Sequence, residues 1–166
     1  METTGGEAYA KLIEVELVDQ RAVKESLERR AGGVITTSGV LVTLLFGLGS
    51  VITQRNGYAL PNASVPWLYV SLGAFVAAAL TALVVSVPLR YRAPTVPALN
   101  KLLTEPRWGD SPADAVKRIA ATHVVVLAAY RKGNSLKAWA LLAAISSEVV
   151  AVLCLAVAVG IVFYDR

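Results

Sequence analysis

Three long apolar runs constrain what this chain can fold into. Val34–Thr53 reads VITTSGVLVTLLFGLGSVIT and Val65–Leu89 reads VPWLYVSLGAFVAAALTALVVSVPL, both without a charge. Ala138–Tyr164 reads AWALLAAISSEVVAVLCLAVAVGIVFY, with one charge, Glu148. A helix rises about 1.5 Å per residue, so about 20 such residues cross about 30 Å of hydrocarbon. Each run is therefore long enough to span a bilayer. Pro66 is tolerated in a first helical turn, and Trp67, Tyr69, Trp139 and Tyr164 suit the membrane interface. The spacing predicts an all-α membrane protein with three transmembrane helices.

Composition agrees. Hydrophobic residues make up 55% and charged ones 17%, with a mean hydropathy of +0.57. A soluble domain has about 45–50% and about 25% respectively. Of 166 residues, too few lie outside the runs for a separate nucleotide-binding or hydrolase domain. Cys154 is the single cysteine and His123 the single histidine. An intrachain disulfide, a cysteine metal cluster and imidazole-pair catalysis are thereby excluded. There is no Walker-type loop, dinucleotide fingerprint, HExxH or nucleophile elbow. The expectation is a protein that is not an enzyme and needs no cofactor or metal.

A fourth apolar stretch, Ile119–Tyr130, is only about 12 residues long and lies between Lys117-Arg118 and Arg131-Lys132. It is expected to be a packed amphipathic helix rather than a span. The remaining basic residues set the topology. Lys11, Arg21, Lys24, Arg29 and Arg30 precede the first run, and Arg90 through Lys137 supply nine more between the second and third. Gln54–Ser64 has only Arg55, and the C-terminus only Arg166. The positive-inside rule then places the N-terminus in the cytoplasm and the C-terminus outside an inner membrane. Topology accounts for the +4 charge, and no nucleic-acid partner is expected.

The chain is divided accordingly. Residues 1–33 form a cytoplasmic N-terminal helix, 34–53 the first span, 54–64 an outer loop and 65–89 the second span. Residues 90–137 form a cytoplasmic segment and 138–164 the third span. In the N-terminal helix, Arg21, Glu25 and Arg29 recur four apart, with Ala8, Leu12, Val15, Ala22 and Val23 as the packed face. In the cytoplasmic segment, Ser111-Pro112-Ala113-Asp114 marks a helix start. That amphipathic helix covers 112–132 and turns Val116, Ile119, Ala120, His123, Leu127 and Tyr130 to one face, until Gly133-Asn134-Ser135 ends or bends it. Helices leading into spans one and three would stand side by side as a stalk.

Glu148 is the most informative position, because a carboxylate near mid-bilayer costs a few kcal/mol if it faces lipid. Thr43, Thr81 and Ser147 fall near its depth and are expected to form a polar layer with it. That layer would either line a permeation path or fix the packing of the bundle. Small residues at Thr36-Thr37-Ser38-Gly39 allow close helix approach. On the cytoplasmic side, Arg90, Arg92, Arg118, Arg131 and Lys132 are the candidate ligand-binding residues, suited to lipid headgroups or a phosphate-bearing ligand.

A resemblance adds to these readings. Ser26-Leu27-Glu28-Arg29-Arg30-Ala31-Gly32-Gly33 running into Val34-Ile35-Thr36-Thr37-Ser38-Gly39 resembles the entry to the first span in the small transmembrane effectors of Pycsar antiviral systems. Arg131–Lys137 feeding Ala138-Trp139-Ala140-Leu141-Leu142 is similar to their second transition from cytoplasmic helix to membrane. The resemblance implies a protein that senses a cyclic pyrimidine nucleotide and impairs the inner membrane, and one expectation is accordingly a homo-oligomeric, ligand-triggered membrane effector. The other expectation is a structural or accessory membrane protein whose cytoplasmic helices bind a partner.

Overall fold

The computed structural model describes residues 5–54, 60–88, 100 and 111–164. The described residues contain helices and turns but no strand. Three helices carry them: α1 (Gly5–Gln54), α2 (Val65–Ser86) and α3 (Pro112–Tyr164). All three are long and apolar enough to cross a membrane. Residues 119–130 lie inside α3.

Local chemistry explains where the helices start and stop. The Ser111 hydroxyl donates to Asp114 Oδ2 at 2.7 Å and accepts the Asp114 amide at 3.2 Å. This side-chain cap starts α3 at Pro112, as the sequence signals. α2 stops at Ser86, short of Leu89, because Pro88 pushes the preceding Val87 into extended backbone with ψ 131°.

One expected interruption is helical: α3 runs unbroken through Gly133-Asn134-Ser135. α1 likewise runs unbroken through Gly32-Gly33. Positions 33/34 and 137/138 lie within these continuous helices. A glycine costs about 1 kcal/mol relative to alanine inside a helix, which tertiary packing overrides. The Thr36 and Thr37 hydroxyls donate to the Gly32 and Gly33 carbonyls at 3.0 Å each, and so add local bonds at that point.

The chain divides into two compact units: Met1–Ser26 with Pro88–Leu136, and Leu27–Val87 with Lys137–Arg166. In the first, the start of α1 lies parallel to the start of α3. Ala10 and Ala120 line one cavity, Glu16 meets Arg131, and Gln20 meets Asn134. The face of α1 turned inward is not the expected one. Leu17 is buried and Ala10, Ile13 and Gln20 are half-buried, whereas Ala8, Leu12, Val15, Ala22 and Val23 are exposed. The polar Gln20 is recruited because it bonds Asn134, and a pattern of apolar residues alone points to the wrong side of the helix. On α3, Val116, Ala120, His123, Leu127 and Tyr130 are half-buried, and Ile119 is exposed.

The second unit is a three-helix bundle with α2 antiparallel to the other two. Its core is built mostly of small residues: Ala31, Ala78, Ala82 and Ala144 are fully buried beside Val34, Val85 and Leu141, with Phe75 as the one large side chain fully buried among the described residues. Its outside is large and apolar, with Leu44, Phe46, Leu80, Leu83, Leu142 and Leu153 all exposed. Small residues inside and large apolar residues outside is the distribution expected where lipid is the solvent and helices associate by close approach.

Candidate functional site: a polar seam between α1 and α3

Both units share one spacing. Along α1, alternating steps of three and four residues pass through Leu17, Gln20, Leu27, Ala31, Val34 and Ser38. Along α3 they pass through Leu127, Tyr130, Lys137, Leu141, Ala144 and Glu148, each 110 positions later. This is the heptad rhythm of parallel paired helices, in which a polar residue on the seam fixes the register.

The polar seam residues are mostly paired. In the first unit the Asn134 side chain, 4% exposed, donates to the Gln20 carbonyl at 2.8 Å and to Gln20 Oε1 at 3.1 Å. Arg131 donates to Glu16 Oε1 at 2.8 Å. In the second unit the Lys137 ammonium, 2% exposed, meets Glu28 at 2.5 Å. Deeper in the bundle, Ser38 donates to Glu148 Oε1 at 3.4 Å. α2 is tied to α3 by a reciprocal pair: Ser71 donates to the Ala151 carbonyl and Ser147 to the Ala74 carbonyl, both at 2.9 Å.

The expected polar layer is thus placed as follows. Glu148 is half-buried, and the hydroxyl facing it is Ser38 rather than Thr43 or Thr81. Thr43 is exposed and donates to Gly39 of its own helix; Thr81 is half-buried and donates to Ala77 of its own. Ser147 bonds across to α2. Matching depths pointed to Thr43, but the seam runs through Ser38, five residues nearer the N-terminus. The heptad spacing carries that information, and it also puts Asn134 on the α3 seam, one step beyond Tyr130.

The candidate ligand residues are dispersed. Arg90 and Arg92 lie outside the described residues. Arg118, Arg131 and Lys132 are exposed, and Arg131 is engaged by Glu16. A cavity of about 500 Å³ in the first unit is walled by Tyr9, Ala10, Val116, Lys117 and Ala120, with Lys117 as its basic residue. Among the described residues, no cluster of three or more His, Cys, Asp or Glu could hold a metal.

The Arg131 guanidinium, and secondarily the Gln20 amide, hold the Glu16 carboxyl below its ordinary value of 4.5. A carboxyl lowered in the folded state contributes stability above its unfolded value and loses it as pH falls through the lowered one. Arg131→Ala is expected to return the Glu16 titration upward towards 4.5, read by carboxyl-carbon NMR. No movement would mean that the pair does not persist in solution.

Compared with protein-family models, curated proteins and solved structures, the chain matches none of them.

Proposed function

We propose that this chain is a self-associating effector of the inner membrane. Its cytoplasmic helical unit receives a phosphate-bearing ligand, a cyclic pyrimidine nucleotide, and its three spans then impair the membrane in antiviral defence. The observation that carries the self-association is Glu148. A carboxylate half-buried in one bundle of apolar helices still presents part of its surface to hydrocarbon, which costs a few kcal/mol. A second copy of the bundle, or water between copies, removes that cost. The three helices pack on fully buried alanines, which supports a permeation path between chains rather than within one.

The ligand step is supported by charge and by the resemblance to Pycsar effectors. Lys117, Arg118, Arg131 and Lys132 belong to the same helix, α3, which continues without a break into the bundle. The basic-residue count places this part in the cytoplasm and the C-terminus outside. An accessory role is the second reading, favoured by the exposed apolar residues of the first unit.

Dye entry into cells expressing the protein tests the proposal. Leakage is expected on supplying a cyclic pyrimidine nucleotide, and Glu148→Ala is expected to reduce it at least tenfold while the protein stays inserted. Equal leakage from wild type and Glu148→Ala would remove the carboxylate from the path. No leakage from inserted wild-type protein would favour the accessory reading.

A further inference from the structure

In the first unit, the sides of α1 and α3 turned away from their shared seam are complementary in shape and charge. The outer side of α1 shows Leu12, Val15, Val18, Asp19 and Ala22, all exposed, with Leu12 at 66% and Val18 at 55%. The outer side of α3 shows Arg118, Ala121, Thr122, Val125, Ala128 and Lys132, also all exposed. One is a ridge of larger apolar side chains, the other a strip of small ones flanked by cations. Charge follows the same division. Residues 5–26 carry five acidic side chains against three basic, and residues 112–136 four basic against one acidic. Patches of this kind mark interaction surfaces rather than ordinary solvated ones.

We propose that the two faces are the two halves of one head-to-tail contact between copies of this chain, α1 of each copy packing on α3 of the next. The inference rests on the reading that the copies share a membrane in one orientation. Such copies are related by rotation about the membrane normal, which preserves height, so a residue of one copy meets residues level with it in the next. Within the unit, levels are set by the seam's offset of 110 positions, as where Ala10 and Ala120 line one cavity. Val15 therefore comes within a turn of the partner's Val125, and Asp19 within a turn of the partner's Lys132. Neither Asp19 nor Lys132 has an ion-pair partner among the described residues. A two-fold dimer would set α1 on α1 and α3 on α3, acid facing acid and base facing base. A head-to-tail contact avoids both repulsions and closes into a ring.

The test uses the full chain in membranes, with Cys154→Ala removing the native thiol. Val15→Cys with one tag and Val125→Cys with another are co-expressed and oxidised with copper phenanthroline. A disulfide-linked dimer carrying both tags is expected, at several-fold the yield of either variant alone. Equal yields of single-tag dimers would overturn the proposal in favour of a two-fold contact. A monomeric mass in nanodiscs with no cross-link would overturn it outright. A charge swap at exposed positions serves if the cysteine variants fail to insert. Asp19→Lys and Lys132→Asp should each lower the oligomer fraction several-fold, and their combination restore it; a double variant no better than the singles overturns the pairing. A cross-link without leakage would leave this contact standing and remove the effector reading.

Discussion

Glu28→Ala is expected to destabilise the second unit by about 3 kcal/mol, because it strands the Lys137 ammonium, 2% exposed, without its carboxylate. Removing one partner of a buried pair costs about 3–5 kcal/mol, and the 30% exposure of the Glu28 side chain places this case at the low end. Replacing both by apolar residues of similar volume, Glu28→Leu with Lys137→Met, should recover most of the loss, since the desolvation of both charges disappears as well. Denaturant titration of the protein in detergent micelles measures both. If the single variant unfolds at the wild-type midpoint, the ammonium has reached water or another acceptor, and the pair does not hold the helices.

The second large effect is steric. Ala82 and Ala144 are fully buried in the core where α2 and α3 meet α1. Ala144→Leu inserts three carbons where no space exists, and overpacking of this kind costs about 1–3 kcal/mol. The upper end is expected, because Ala144 is fully buried in a core that also holds Val34, Val85 and Leu141. Leu80→Ala provides the contrast: Leu80 is 60% exposed, and its loss should shift stability by less than about 0.5 kcal/mol. Burial, not the size of the residue replaced, sets this order. Comparable midpoints for the two variants would contradict an alanine-lined core.

Much of this architecture can be read in the sequence, and the remainder fails for physical reasons. The apolar runs and the Ser111-Pro112 start are local signals, and local chemistry alone produces them. Gly133-Asn134-Ser135 misleads because intrinsic propensity is worth about 1 kcal/mol per residue, less than the neighbouring helix supplies. The packed side of α1 misleads for another reason. Its seam includes Gln20, whose partner Asn134 is 114 positions away, and a hydropathy pattern gives no credit to a polar residue with a distant partner. The same holds for Glu148. That it needs a neighbour follows from one residue; that the neighbour is Ser38 follows only from counting both helices in heptads.

The reciprocal serine bonds between α2 and α3 bear on how such a chain changes over generations. Ser71 and Ser147 donate to backbone carbonyls, which every residue type provides. Around them, Phe75 apart, the core asks mostly for smallness rather than identity, and the lipid-facing side asks only for apolar bulk. Exchanges among alanine, glycine and serine inside, and among leucine, valine, isoleucine and phenylalanine outside, would pass with little penalty. Descendants of one ancestor would then drift apart in letters while keeping a common rhythm of volumes, and kinship in such a lineage is better traced by the order of small and large positions than by residue identity.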